Sequence, residues 1–227
     1  MTGTEGEPWR DPPPPGPSRF TMPDPAVVAP GAELVAVGAD LSPGTLLDAY
    51  RAGLFPMPVD PDRRRRGIAW YSPDPRGVLP LGGLHVSRSL RRSLRRYRVT
   101  RDESFERVVR ACADPSRPGR WITPDFVDAY TTMFELGWGH SVETWHGDDL
   151  VGGLYGLRIG RFFAGEAMFS TASDASKVAL VSLVEWLRGT GATLLDVQWR
   201  TDHLATLGVV EVDRTEYLRS LAEAVGT

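Results

Sequence analysis

Residues 150–198 constrain the fold more tightly than any other part of this chain. Two apolar runs, 150–157 and 161–169, are separated only by Arg158-Ile159-Gly160, a spacing that predicts a hairpin. A loop at 170–173 then leads into a predicted helix from about Asp174. Its apolar residues Leu180, Leu183, Val184 and Leu187 recur at steps of three and four. Gly189 and Gly191 end it, as glycines after a last helical turn do. One more strand, 193–199, follows. Side chains alternate along a strand, so Leu195, Val197 and Trp199 are expected on one face, and Asp196 and Gln198, with Leu194, on the other. The two polar groups would stand roughly 7 Å apart. A carboxylate and a carboxamide on so apolar a strand need hydrogen-bond partners, water or a substrate, and the chemistry is assigned there.

At 227 residues the chain has room for one medium domain, or for a small and a medium one. No apolar run approaches the roughly 20 residues of a membrane helix, and the N-terminus has no charged-then-apolar leader. The expected compartment is the cytoplasm, with no membrane partner. A single cysteine, Cys112, excludes an internal disulfide and is expected to pack on an apolar helix face. The net charge of −3 hides an uneven distribution. Between residues 63 and 110, fourteen arginines stand against four acids, while the remainder holds 12 basic and 25 acidic residues. A basic segment in an acidic chain points to a polyanionic partner. Lys177 is the only lysine, so part of the arginine content reflects a general preference for that residue.

Residues 1–19 carry six prolines and few apolar side chains, and are read as a disordered tail. Ser42-Pro43 opens a helix with Leu46, Leu47 and Tyr50 on its apolar side and Gly53 at its end. The extended aromatic stretch 70–76 either joins two domains or walls a cleft. A basic helix is expected from Arg88 to about Tyr97, with Arg88, Arg91, Arg92, Arg95 and Arg96 along one stripe. With no interleaved acids these guanidinium groups repel one another. Phosphates would relieve the repulsion and be held bidentately. Further helices are expected near 102–112 and from Thr123-Pro124 to Gly137, with Trp121 at the corner before the second. A strand at 141–145 pairs with 150–157, and a last helix starts near Asp213, with Glu216 placed for a capping box. No nucleotide-binding GxxxxGK[ST] or GxGxxG and no GxSxG elbow occurs, and His85, His140, His146 and His203 lack metal-ligand spacing. Neither metal nor cofactor is expected.

From Phe20 almost to its end the chain resembles the bacterial leucyl/phenylalanyl-tRNA–protein transferases. The matching stretches run in order from Gly38-Ala39-Asp40-Leu41-Ser42-Pro43 through Gly53-Leu54-Phe55-Pro56, residues 70–76 and His85-Val86-Ser87-Arg88-Ser89. Next come Trp121-Ile122-Thr123, His140-Ser141-Val142-Glu143, Gly152-Gly153-Leu154-Tyr155-Gly156 and Gly165-Glu166-Ala167-Met168-Phe169-Ser170. Asp174-Ala175-Ser176-Lys177, Asp196-Val197-Gln198 and Leu207-Gly208 complete the series. The resemblance implies an α+β protein: a small N-terminal domain (20–74) and a C-terminal GNAT-like acyltransferase domain (75–227), a mixed sheet flanked by helices. It implies transfer of Leu or Phe from aminoacyl-tRNA to the α-amine of proteins beginning with Arg or Lys, which marks them for degradation, by a monomeric enzyme.

The same resemblance assigns catalysis to Asp196 and Gln198, adenosine stacking to Trp121, a place beside the aminoacyl group to Glu166, and tRNA contacts to Arg88, Arg91, Arg92, Arg95 and Arg96. Four residues depart from the family's usual ones: Met57 and Tyr71 for tryptophan, Ala167 for serine and Val197 for cysteine. The acceptor amine, with a reference pKa of about 7.7–8.0, must lose a proton to attack. Asp196 is then either a general base or an electrostatic clamp, and Gln198 binds the amine or the developing oxyanion. Leu154, Phe163, Met168, Leu180, Leu183 and Leu195 are candidates for an apolar side-chain pocket, the alternative for each being plain core. One methylene discriminates by only about 1–3 kcal/mol, so overlapping use of Met-tRNA is expected. A CoA-dependent N-acyltransferase and a non-catalytic tRNA-binding module are the rival readings. The glycine-free loop 169–173 argues against CoA.

Overall fold

The first strands of the chain form a sheet of their own. In the computed structural model, which describes residues 9–60, 67–117, 119 and 121–226, this small sheet is antiparallel with order β1-β3-β2. It is built from β1 (Leu34–Val37), β2 (Phe55–Pro58) and β3 (Ile68–Tyr71), with α1 (Pro43–Arg51) between β1 and β2. The remainder comprises β4 (Arg76–Val78), α2 (Arg88–Ser93), β5 (Arg98–Arg101), α3 (Phe105–Cys112), α4 (Pro124–Glu135), β6 (Gly139–His146), β7 (Asp149–Ile159) and β8 (Phe162–Ser170). It continues with α5 (Ala175–Gly189), β9 (Leu194–Gln198), α6 (Asp202–Ala205), β10 (Val210–Val212) and α7 (Arg214–Val225). These strands make one seven-stranded sheet in the order β10-β4-β9-β8-β7-β6-β5, in which β8 and β9 are parallel and the other neighbours antiparallel. The α+β class with a mixed sheet flanked by helices is the one the sequence implied.

Alternation along the strands feeds two apolar layers. Tyr155, Leu157, Phe162 and Leu194 join a cluster with α1, α3, α4 and α7, while Leu154, Phe163 and Leu195 join one built around α5. The parallel pair requires a crossover, and α5 supplies it. Gly152 permits its close approach: a Cβ there would come within 2.6 Å of the Ala175 Cβ. The predicted hairpin is present, with its turn at Gly160-Arg161. Asp213 caps α7 by accepting from the Glu216 amide at 2.8 Å. Ser42 precedes Pro43 but makes no cap bond, its hydroxyl donating to Asp40 instead.

The basic helix is shorter than expected. α2 stops at Ser93 and a turn carries Arg95 and Arg96, because Tyr97 must swing inward, where it is buried and donates its hydroxyl to the Ser173 carbonyl at 2.7 Å. The five arginines are nonetheless exposed, and none is ion-paired among the described residues. Arg63, Arg64, Arg65 and Arg66 of the basic segment lie outside the described residues.

The tail also needs correction. Residues 1–8 are outside the described residues, but residues 9–18 run as an ordered strap. Trp9 meets His140 and Trp186 edge-on and lies under the Arg158 guanidinium, 4.7 Å from its ring centroid. Asp11 accepts from the Gly160 amide at 2.7 Å, and Ser18 bonds Thr45 on α1 at 3.0 Å. Proline stiffens such a segment and lowers the entropy lost on docking, which composition alone does not reveal. Among the described residues no helix is long and apolar enough to cross a membrane.

Candidate active site

β8 and β9 are parallel only where 162–164 meet 194–196. Beyond that point β8 continues to Ser170 while β9 ends at Gln198, and a cleft of about 230 Å³ opens in the wedge between them. Leu154, Met168, Leu180, Leu183 and Leu195 line its apolar part, and Tyr155, Glu166 and Gln198 also face it. Five of the six apolar candidates therefore share one cleft. Phe163 does not. It is fully buried and packs edge-on against Trp186, because the strands are still paired at its position.

Asp196 is also not where a substrate-contacting acid would be. It is 0% exposed, its oxygens accept from Arg76 Nε at 2.9 Å and Nη2 at 2.6 Å, and it further accepts from the Tyr217 hydroxyl at 2.9 Å and the Gln198 amide at 2.9 Å. With its lone pairs committed and no exposed surface, it has no place for an amine, which removes the general-base alternative. Burial works against the charge of Arg76, but the facing Asp196 carboxylate and the hydrogen bonds outweigh it and hold the guanidinium firmly protonated. Arg76 also donates to the Gly53 carbonyl and stacks on Phe55 and Tyr217, so this ion pair ties β4, β9, α7 and the segment after α1 together.

The expected alternation fails at the end of β9. Gln198 has φ of 61°, and the Trp199 amide donates to the Val197 carbonyl at 2.8 Å, which makes a γ-turn centred on the glutamine. Trp199 consequently crosses to the layer of Phe55 and Tyr71 instead of following Leu195 and Val197. Gln198 lines the cleft with those two residues, and its Nε2 has no partner among the described residues. Left-handed backbone at a residue other than glycine is strained and concentrates at functional positions.

Glu166 sits in a clamp that the sequence reasoning missed. The hydroxyls of Tyr50 and Tyr130 donate to its two oxygens at 2.6 and 2.7 Å and lie 2.6 Å from each other. The residue keeps some exposure to the cleft, yet burial of the carboxylate dominates and pushes it up to about 7, against the tyrosine hydrogen bonds, which pull it down. Both tyrosines read as apolar positions of their helices. A hydroxyl on the inward face was the only available signal. Burial also pushes the Cys112 thiol up to about 12, and it packs in the core as expected of an unreactive cysteine.

Trp121 stands half-buried at the corner before α4, edge-on to Phe126 at 5.5 Å. Phe126 and Thr123, with Leu41, Pro58 and Ile68 of the small sheet's side, line a second cleft of about 400 Å³. Met57 is partly buried against the same apolar cluster as Trp121. His203 on α6 lines the first cleft and was not singled out from sequence. Burial and the nearby Lys177 lower its pKa, while Asp174 opposes them. α2 meets the N-terminus of α5 through Ser93, whose hydroxyl donates to Asp174 at 3.0 Å.

The chain has close relatives. The model of the leucyl/phenylalanyl-tRNA protein transferase family matches residues 78–222, and that of the family's N-terminal domain matches residues 39–74. A leucyl/phenylalanyl-tRNA–protein transferase of Anaeromyxobacter sp. (strain K) is 52% identical over 214 residues, covering 92% of this chain and 90% of the relative. The protein of the same name from Shigella dysenteriae serotype 1 is 46% identical over 206 residues, covering 89% and 85%. Among solved structures, L-PGS from Bacillus licheniformis is similar at 10% identity and a TM-score of 0.41, covering 58% of this chain and 48% of that one.

Proposed function

The chain belongs to the leucyl/phenylalanyl-tRNA protein transferase family, and from that premise we propose that it moves leucine or phenylalanine from aminoacyl-tRNA to the α-amine of acceptor proteins beginning with arginine or lysine. The tagged acceptors are degradation substrates, and the reaction belongs in the cytoplasm, where aminoacyl-tRNA is made. The observation that carries this reading is the wedge between β8 and β9, an apolar cleft of about 230 Å³ with a carboxamide and a carboxyl group also on its wall. It suits a leucine or phenylalanine side chain whose carbonyl remains at the polar part. Methionine is of similar size and unbranched at Cβ, so Met-tRNA is a weaker donor.

The reaction is an ester-to-amide exchange and needs no external energy source. The acceptor nitrogen attacks the ester carbonyl, the carbon–oxygen bond to the ribose breaks, and the amine's proton passes to the leaving ribose oxygen. Gln198 contacts the reacting groups, and Glu166 holds the aminoacyl α-amino group. Asp196 acts as a positioning residue: through the Gln198 amide it holds the γ-turn, and through Arg76 it anchors β9. The terminal adenosine stacks on Trp121, worth roughly 1–3 kcal/mol, beside the larger cleft. Arg88, Arg91, Arg92, Arg95 and Arg96 take the tRNA phosphates, since they are exposed and have no acidic partner among the described residues that binding would have to displace.

The test is transfer of radiolabelled Leu, Phe or Met from tRNA to peptides starting with Arg, Lys or Ala. Leucine and phenylalanine should pass to the Arg and Lys peptides and not to the Ala peptide. Consumption of acetyl-CoA with no transfer from tRNA would favour a CoA-dependent acyltransferase instead.

A further inference from the structure

Asp174 stands immediately before α5 but does not cap it. An aspartate at that position ordinarily accepts from a free amide of the first helical turn. Here the side chain makes no cap bond, and the backbone is left-handed, with φ of 61°. Its two oxygens are turned to other partners. Oδ2 accepts from the Ser93 hydroxyl at 3.0 Å and Oδ1 from Lys177 Nζ at 3.0 Å. The bond from Lys177, and after it the one from Ser93, hold the carboxyl below the usual carboxylate range, against partial burial. The Ser89 carbonyl, at 3.4 Å, is the more distant of the two acceptors beside the Ser93 hydroxyl. A strained residue whose side chain serves a distant element in place of its own helix points to a role beyond capping.

The distant element is the basic segment. Ser93 ends α2, and Tyr97, four residues on, donates its hydroxyl to the Ser173 carbonyl at 2.7 Å. Consecutive residues 173 and 174 therefore grip both ends of the turn that carries the exposed Arg95 and Arg96. The Arg96 guanidinium lies over the Tyr97 ring, 5.5 Å from its centroid. Residues 171–174 also join β8 to α5, and these two elements supply Met168, Leu180 and Leu183 to the cleft. The arginine turn is thus fastened to the short loop between two walls of the cleft. Lys177 fits the same arrangement by its kind. It is the only lysine in a chain whose other cationic side chains are arginine. A guanidinium in its place could take both Asp174 oxygens in parallel and displace Ser93, whereas an ammonium on a single stem takes one.

Building on the transfer reaction proposed above, we propose that Asp174 is a positioning residue. With Ser93 and Lys177 it holds Arg95 and Arg96 at a fixed distance from the cleft, so that a tRNA whose phosphates rest on these arginines presents its aminoacyl end to the wedge between β8 and β9. Asp174 touches neither the tRNA nor the ester. It acts through the two arginines, by removing the freedom of an exposed turn before the tRNA arrives. Long cationic side chains lose rotamer freedom on binding in any case, so the backbone beneath them is the part that the fold can order in advance.

The experiment measures transfer of labelled leucine from tRNA to an Arg-initiated peptide by wild type, Asp174→Gly, Ser93→Ala and Lys177→Arg. Asp174→Gly is also made in a protein that carries Arg95→Ala and Arg96→Ala. Glycine adopts the left-handed backbone without strain, and there is no cap bond to lose, so the thermal midpoint of Asp174→Gly should hold. Its KM for Leu-tRNA should rise about tenfold with kcat within twofold. Ser93→Ala removes the tie from the other side, should raise KM likewise, and carries the test if the glycine variant misfolds. Lys177→Arg should raise KM although it keeps the charge. Without the two arginines KM is already raised, and Asp174→Gly should then change it less than twofold, because nothing remains to be positioned. A KM within twofold of wild type in any of the three single variants would overturn the assignment. So would an equal rise with and without Arg95 and Arg96, or a KM insensitive to the loss of both. No transfer by the wild-type protein would instead sink the underlying reaction, and the positioning role with it.

Discussion

Asp196 is sealed and Glu166 partly buried at the cleft, and their opposite surroundings make a measurable difference. Glu166 is pushed up to about 7 from an ordinary 4.5. Its folded-state pKa lies above its unfolded one, so the folded chain holds the proton more tightly. The stability this confers is complete below about pH 4.5 and is lost as pH rises through about 7. Between pH 5 and pH 8 wild type should lose roughly 2–3 kcal/mol more than Glu166→Gln, as read by urea unfolding at the two pH values. An equal pH response in both proteins would show that Glu166 is not held neutral. Asp196 faces an arginine instead of phenols. Asp196→Ala leaves Arg76 charged and unpaired in the core and should cost about 3–5 kcal/mol. Adding Arg76→Met should recover part of that loss, and a further loss of equal size would deny the coupling.

The strap and the helices it crosses act together at the scale of elements. Residues 9–18 lie against Gly44 and Thr45 on α1 and Gly137 after α4, and these two helices carry Tyr50 and Tyr130, the clamp on Glu166. Gly44 allows the approach, since a Cβ there would overlap the Gly16 carbonyl oxygen. In an exposed helix Gly→Ala stabilises by about 1 kcal/mol. Here Gly44→Ala should release the strap, seen as faster proteolysis within residues 9–18, with the core transition little changed. An intact strap in that variant would show that the packing of Gly16 on α1 is incidental. The hairpin, α5 and the capped α7 were legible from period and punctuation, because each is a local pattern repeated over many residues. The early stop of α2 and the γ-turn at Gln198 were not, because single long-range demands decide them: burial of Tyr97 and anchoring of the Gln198 amide on Asp196.

Across the whole molecule the charge is divided. The α2 arginines stay in solvent without ionic partners among the described residues, but Arg98 and Arg107 lie over the Trp145 ring, and Arg76 is spent in the core, so the local excess of arginine overstates the surface available to a polyanion. Arg92→Glu with Arg95→Glu should raise KM for aminoacyl-tRNA and reduce the salt slope of binding by about one for each phosphate no longer neutralised. An unchanged slope would move the tRNA surface elsewhere. The sequence by itself determined the hairpin, helix and strand of 150–198, five of the six apolar residues offered for the cleft and the exposed arginine cluster, since each is written in residue types at short spacing, while the class came from the family resemblance. Only the tertiary structure decided which polar residues meet the cleft. Asp196 and Gln198 are two positions apart, yet one is sealed behind Arg76 and the other turned toward the cleft. That choice depends on β4, α7 and the divergence of β9 from β8, and long-range packing of this kind leaves no local mark on the chain.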